Sequence, residues 1–290
     1  MACNISSLEQ ATAVSYDTSF TTVPAGGRTL TGEVRSRASL SAREREAMFS
    51  LFEQFYLSAD RAQFGTDLED KDWVATLFDE HHSLCGFSTM KEYTAPFPDG
   101  LRTALIFFSG DTIVHPRCWG SPELPRIWTR HMFTRTLERK LPLSFWFLIS
   151  SGYKTYRLLP LFFQSFVPQR DREHPQQFEL MTQLADERFG NRYDRHSGTI
   201  RLDHPTPLRP GVADITEREL RNEHTRFFTA RNPRWSLGEE LAGLAQLHPS
   251  NLTKAGLKMV GSELLSRLAD ASMDGETLSP LSSTQTARAG

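Results

Sequence analysis

Cysteine is scarce in this chain: three residues in 290, Cys3, Cys85 and Cys118, widely separated and with no C-x-x-C pair. Such a set offers neither a disulfide framework nor a structural zinc site. An excess of one charge is also missing. With 33 basic and 35 acidic side chains the formal net charge is −2, whereas a general nucleic-acid-binding domain is strongly basic, so no nucleic-acid partner is expected. No long uninterrupted apolar run occurs either. The most apolar window, 141–167, is broken by Ser150, Ser151, Gly152, Lys154 and Arg157, which argues against a membrane span. The opening residues carry no basic segment followed by an apolar run, so no secretory signal is read, and a cytoplasmic location is the expectation. There is no internal repeat, and no linker long enough to separate two domains.

What is present suffices for a core: 39% hydrophobic and 11% aromatic residues. Residues 1–27 are polar, aperiodic and end in PAGG, which reads as a flexible lead; 273–290 are small and polar and read as a disordered tail. Between them, 28–231 are expected to form the main domain and 232–272 a helical C-terminal extension. Ser41 followed by Glu44 marks a helix start, and Met48, Leu51, Phe52, Phe55 and Tyr56 continue it at helical spacing. Residues 73–78 and 84–90 read as a strand hairpin, and a Pro-Phe-Pro-Asp-Gly turn leads to a long strand at 101–115. A helix at 122–139 and an apolar strand at 141–149 follow. Residues 153–166 read as a helix kinked or broken at Pro160, and 176–189 as a helix that closes at Gly190. Segments 199–202 and 224–230 read as strands, and 237–247 and 257–268 as helices. The sum is a mixed α/β (α+β) domain.

The most informative stretch is 101–140, in which a long apolar strand enters a polar, glycine-bearing turn and then a helix. Such a junction gathers unpaired backbone N–H groups at the positive end of a helix, a setting suited to phosphate. The helix carries Arg126, Arg130, His131, Arg135, Arg139 and Lys140 against only Glu123 and Glu138. That excess suits either phosphates and an acidic carrier-protein surface or simply a solvated face.

The order of elements over 41–168, extending towards residue 231, resembles the GCN5-related N-acetyltransferase (GNAT) superfamily. Ile113-Val-His-Pro-Arg-Cys-Trp-Gly-Ser is similar to the family's strand end and pyrophosphate turn, V-x-P-x-x-[RQ]-x-x-G-x-[GA]. Here the spacing after Pro116 is compressed, with Arg117 to Gly120 supplying R-x-x-G, and Pro122 stands where glycine or alanine is usual. Proline removes a backbone donor while suiting the first turn of a helix. The resemblance implies a central mixed sheet flanked by helices, with acyl-CoA lying between two splayed parallel strands at 101–115 and 142–150. It implies donor contacts from Ile113, Val114, Arg117, Trp119, Gly120, Ser121 and Arg126. The altered turn fits either a pyrophosphate held by fewer N–H groups or a donor thioester carried by an acyl carrier protein.

The family's chemistry brings an amine to a thioester with a base and an acid. His115 and Asp111, near the end of the first splayed strand, are the base candidates; each also has a plain reading, as a strand-end histidine and a bulge-forming aspartate. Tyr156, ahead of Tyr153, is the candidate acid for the leaving thiolate, or else a core tyrosine. Cys118 beside Arg117 is a possible acyl acceptor or an inert thiol. Asn232-Pro-Arg-Trp, Phe227-Phe, and Trp73, Phe87, Met90 and Tyr93 are pocket or core residues. The expected activity is transfer of an acyl group to an amine or hydroxyl of a small, biosynthetic molecule, with no metal. A non-catalytic GNAT-like binding module, and less readily a metal-dependent oxygenase or hydrolase using His81, His82 or His115, are the alternatives.

Overall fold

A computed structural model describes residues 20–22, 30–273 and 281. Its strands are β1 (Phe20–Thr22), β2 (Leu30–Ser36), β3 (Trp73–Phe78), β4 (Leu84–Pro96), β5 (Thr103–Val114), β6 (Leu143–Ser150), β7 (Phe166–Val167), β8 (Tyr193–Asp194), β9 (Thr199–Ile200) and β10 (Glu240–Gln246). They form a single sheet in the order β1-β2-β3-β4-β5-β6-β10-β9-β8, with β7 paired to β10 beyond β9. Every pair is antiparallel except β5 with β6. The helices are α1 (Ala42–Phe52), α2 (Arg61–Glu69), α3 (Glu123–Arg139), α4 (Tyr153–Tyr156), α5 (Leu158–Phe162), α6 (Pro175–Phe189), α7 (Glu217–Leu220), α8 (Glu223–Arg231), α9 (Lys254–Val260) and α10 (Ser262–Met273).

Alternation along β5 divides the core. Leu105 and Phe107 pack with Ile127, Trp128, Met132 and Phe133 of α3, whereas Ala104, Ile106 and Phe108 pack with Leu180, Met181 and Leu184 of α6. A third cluster seats α1 and α2 on Val74, Phe87 and Ile113. Because β5 and β6 are covered on both faces, their sequences read as continuous apolar runs rather than alternating ones. α3 is the crossover that a parallel pair requires.

Local signals account for several elements. The Ser41 hydroxyl accepts the N–H of Glu44, whose carboxylate accepts the Ser41 N–H at 2.7 Å, so the expected capping box starts α1. Residues 79–83 form the hairpin turn, with Asp79 accepting the N–H groups of His81 and Ser83 at 3.0 and 2.9 Å.

Other expectations require correction. Residues 237–247, read as a helix, contain β10, which lies between β6 and β9. Leucine, alanine and glutamate favour helix locally, but a strand buried on both faces leaves no alternation to signal it. A division at 231/232 therefore cuts through the sheet, and only α9 and α10 form a helical C-terminal part. Residues 224–230, read as a strand, belong to α8, where the Asn222 side chain accepts the N–H groups of His224 and Thr225. The expected helix at 257–268 is two helices divided at Gly261, whose φ is +86°. Between 153 and 166 the helix breaks at Arg157, and Pro160 lies within α5. β2 and α2 add to the expected elements. Phe20–Thr22, within the lead expected to be flexible, forms β1; Leu281, within the expected tail, donates its N–H to Gln246 Oε1 at 3.1 Å. Met273, the first residue of the expected tail, closes α10, and the rest of both segments lies outside the described residues.

α9 approaches α5 so closely that a Cβ on Gly256 would fall inside contact distance of the Phe162 carbonyl oxygen, a backbone atom that cannot swing away. Gly256→Ala is expected to be destabilising by about 1–3 kcal/mol, the range of core overpacking. Thermal unfolding checks this: a Tm drop of about 2–4 °C per kcal/mol is expected, and an unchanged Tm would show that α9 shifts freely.

Candidate functional site

β5 and β6 pair from Ala104↔Leu143 to Ser109↔Leu148 and no further, although β5 runs on to Val114 and β6 to Ser150. The cause lies on the other edge of β5. Met90 pairs with Ser109 but Ser88 pairs with Thr112, so β5 holds one extra residue around Gly110-Asp111. A β-bulge of this kind bends a strand and re-aims its side chains. Glycine leaves room there: a Cβ on Gly110 would stand 2.7 Å from both Lys71 Cε and Thr89 Oγ1 and would displace those side chains. At the last paired rung the Trp146 indole donates to Ser109 Oγ at 2.7 Å, tying the strands together just before they part.

Two cavities meet at this gap. One, of about 450 Å³, lies on the α3 side and is mostly apolar, with Leu124, Trp128, Met132, Trp146, Phe162 and Phe163 in its walls. The other, of about 1160 Å³, lies on the α6 side between α2 and α6, and its walls are heavily charged. Tyr56, Gly110, Thr112, Ile149, Ser151 and Thr155 line both.

Two carboxyl groups stand on the polar side of the junction. Asp111 is pushed up to about 6 by burial, with Lys71 opposing the shift. Glu240 is pushed up to about 7, again chiefly by burial, while a hydrogen bond from Ser151 opposes the shift and the Asp111 charge adds to it. Each residue is only half-buried by accessible surface because each faces the cavity. The surrounding protein, not bulk water, nevertheless sets the cost of charging them. Asp111 makes no hydrogen bond or ion pair among the described residues. Ser151 Oγ donates to Glu240 Oε1 at 3.0 Å, and the Tyr56 hydroxyl stands close enough to Ser151 for it to offset part of the burial effect on Tyr56. Burial and the two carboxylates hold the Tyr56 pKa far above its usual value, so it remains protonated.

The residues singled out from sequence divide. Asp111 lines the polar cavity, and Ile113, Val114, Trp119, Gly120 and Ser121 line the apolar one. The Trp119 indole donates to Val114 O at 2.6 Å, and Lys154 lies over its ring at 4.0 Å. Four residues face neither cavity. His115 Nδ1 accepts the Arg117 N–H at 3.2 Å, capping its own turn. Arg117 is ion-paired with Asp79 at 3.0 Å, and Arg126 with Glu123 at 2.6 Å. The Tyr156 hydroxyl donates to Pro168 O at 3.0 Å within a cluster of Phe166, Phe227 and Phe228.

Much of the basic excess of α3 is likewise committed: Arg135 and Arg139 hold Glu92 at 2.8 and 2.6 Å, and His131 is buried against Trp73. Cys118 hydrogen-bonds Cys85, whose thiol burial pushes up. Among the described residues no group of three or more His, Cys, Asp or Glu side chains is placed to hold a metal ion, and no helix is long and apolar enough to cross a membrane. Tyr56, Ser151 and Glu240 were missed in the sequence. Asp60 with Gln63 three residues on was a readable start for α2, but nothing local marked Glu240.

An antiparallel hairpin, a bulged strand, a helix-linked parallel partner and a gap between the two form the central mixed sheet flanked by helices that the sequence resemblance implied. No family model matches the chain, and neither does any curated protein. Among solved structures it is similar to a probable N-acyltransferase from Enterococcus faecalis, with 19% identity and a TM-score of 0.34 over 47% of this chain and 33% of that one. It is also similar to a CoA-bound GNAT-family N-acetyltransferase from Escherichia coli, with 11% identity and a TM-score of 0.29 over 40% and 61%. The ribosomal-protein-S18-alanine N-acetyltransferase of E. coli overlaps at 10% identity and a TM-score of 0.34 over 50% and 83%. The chain thus spans a third of the Enterococcus protein's length and about three fifths of the CoA-bound one's.

The raised carboxyl groups carry a stability signature. Between the ordinary glutamate value of 4.5 and about 7, the folded protein holds a proton on Glu240 that the unfolded chain has released. Stability therefore falls as pH rises through that window. Glu240→Gln removes the penalty while retaining a side-chain oxygen for Ser151. Its Tm is expected to exceed the parent's at about pH 8 and to converge with it towards about pH 4. A difference independent of pH would contradict the shift.

Proposed function

We propose that the chain is an acyltransferase that moves an acyl group from a thioester to the amine of a small molecule. The supporting observation is the junction itself: an apolar cavity and a charged cavity on opposite faces of the sheet, meeting at a gap lined by proton-carrying groups. The acyl thioester enters from the α3 side, where apolar walls suit its chain. The acceptor enters from the α6 side.

Asp111 takes the proton that converts the acceptor's ammonium to a free amine. The amine nitrogen attacks the thioester carbon, the N–C bond forms, and the C–S bond then breaks. Glu240 takes the second nitrogen proton, and the departing sulfur takes one from Tyr56. The Tyr56 oxygen is reprotonated by Ser151, which is reprotonated by Glu240. The products are amide and thiol, with one proton left on Asp111. Carboxyl groups held near 6 and 7 suit these transfers because each changes protonation near neutral pH.

The donor's headgroup is less well provided for. Pro122 and Pro125 have no N–H, and Glu123 places a buried carboxylate in the first turn of α3. Lys154 is the single charged residue lining the apolar cavity among the described residues. This favours a donor held by its acyl chain and thioester arm over one held by pyrophosphate, and it keeps a carrier-protein thioester alongside acyl-CoA.

Thiol release, measured with acetyl-CoA, longer acyl-CoAs and acyl carrier protein against an amine panel, tests the reading. Binding of none of these donors in calorimetry, with no thiol released, would sink it. Turnover is expected to rise with pH through the window between about 6 and 7 as the carboxyl groups lose their protons. Asp111→Asn is expected to lower kcat by about 10²–10⁴, the usual worth of a positioned base. Tyr56→Phe should lower kcat while leaving donor affinity intact. Tyr156→Phe should lower Tm and leave kcat near the parent's; the reverse pattern would move the acid from Tyr56 to Tyr156.

A further inference from the structure

The charged cavity is divided into two oppositely charged regions. On one wall, Asp70 is surrounded by three cations. Lys91 Nζ lies 2.6 Å from Asp70 Oδ1, Lys71 Nζ lies 3.6 Å from Oδ2, and Arg188 also pairs with Oδ2. Lys71 is also favoured by Asp111 and Asp67, but Lys91 and Arg188 share the single Asp70 carboxylate, which leaves this wall with an excess of positive charge. Arg188 is held in place by stacking over the Phe108 ring at 4.0 Å. Lys71 is nearly fully buried, and burial together with the Arg188 charge lowers its pKa, so an additional anion would relieve this wall.

The other wall, at the gap, holds Asp111 and Glu240. Asp111 has no hydrogen-bond or ion-pair partner among the described residues, and Glu240 has only the Ser151 hydroxyl. Other carboxylates of the cavity are already engaged: Asp203 pairs with Arg192 at 3.2 Å, and Asp60 caps α2. Lys71 interacts with both Asp111 and Asp70, so the two regions are adjacent rather than at opposite ends of the cavity.

We infer that the acceptor is a small zwitterion, with a primary amine set against Asp111 and Glu240 and a neighbouring anionic group, carboxylate or phosphate, set against Lys71, Lys91 and Arg188. A plain amine would leave the cationic wall unanswered, and a plain acid would leave Asp111 unanswered. Lys71 also packs against Gly110, next to Asp111, so the two regions adjoin and fit a compact molecule that carries both groups, such as an amino acid. The rest of the cavity, walled by Tyr56, Phe64, Leu184 and Leu202, is left for a side chain. The inference rests on the acyl-transfer reading for the identity of the acceptor, but its test does not need turnover.

Calorimetry on the full chain without donor is the test, with each of the twenty L-amino acids and O-phosphoethanolamine as probes. For the tightest binder, its decarboxylated amine and its deaminated acid are titrated in parallel. Loss of either group is expected to weaken binding by at least about tenfold, the worth of a charge-assisted hydrogen bond. Lys91→Gln and Arg188→Gln should weaken the zwitterion by a similar factor and leave the decarboxylated amine unaffected. Unchanged donor binding in the apolar cavity would show that these variants remain folded. Preference for O-phosphoethanolamine over every amino acid upholds the zwitterion and identifies its anion as phosphate. An amine that binds as tightly without its anionic group, or one that is acylated although no zwitterion binds, overturns the inference and leaves acyl transfer standing. Absence of thiol release with any donor overturns acyl transfer, while zwitterion binding in calorimetry would still stand.

Discussion

Everything distinctive about this molecule depends on the parting of β5 and β6 after Ser109↔Leu148. Two adjacent strands in a sheet normally satisfy each other's backbone groups along their whole length. Here each keeps a partner on its outer edge instead. β5 remains paired with β4 as far as Val114, and β6 with β10 as far as Ser150. The inner edges can then diverge without loosening the sheet, and the gap exposes two strand edges to an amide-bearing chain that could pair with them. The extra residue at Gly110-Asp111 converts this divergence into chemistry, because it turns a carboxylate towards the opening.

The sheet also separates two environments that would be incompatible in a single pocket. On the α3 side aromatic and aliphatic walls line the smaller space; on the α6 side charges line a larger one. Groups at the boundary feel both. Asp111 and Glu240 are close enough to the apolar interior to be reluctant to ionise, yet they face the polar cavity and can exchange protons with it. On the proposed reading, Tyr56 and Ser151 extend a proton path from Glu240 across the boundary. Position, rather than an unusual residue type, makes these groups suitable for proton transfer.

The α3 half of the site was legible in the sequence, whereas much of the α6 half was not. Strand 101–115, its turn and helix 122–139 announce themselves by a continuous apolar run, a glycine and a proline at a helix start, and all are local signals. The polar wall is built from α2, the Asp70-Lys71 turn that follows it, Arg188 of α6 and Glu240 of β10. α2 is short and weakly amphipathic, and β10 is an interior strand written in helix-forming residues, so propensity pointed the wrong way where tertiary pairing decided the outcome. Tyr56 was visible only as one more apolar residue in a helical series. Its role arises from contact with Ser151, nearly a hundred positions away, and no spacing rule encodes such a contact. The same limit explains Tyr156, whose placement after the second splayed strand fitted the family pattern while its hydroxyl was committed to Pro168.

The donor turn shows how a family pattern and local physics can diverge. A helix N-terminus binds phosphate because its first N–H groups are unpaired and its dipole is positive there. In this chain Pro122 and Pro125 remove two donors, and Glu123 brings its own carboxylate, paired with Arg126, to the same end. The favourable interaction that an incoming phosphate would make with the dipole is already taken by a resident anion. Arg117, which the family pattern assigns to the donor, is held away by Asp79. What remains for the donor is the extended gap, the apolar cavity and Lys154 at its lining. On the proposed reading, recognition moves from the headgroup to the acyl chain and its arm, and the size and apolarity of the α3-side cavity set donor choice.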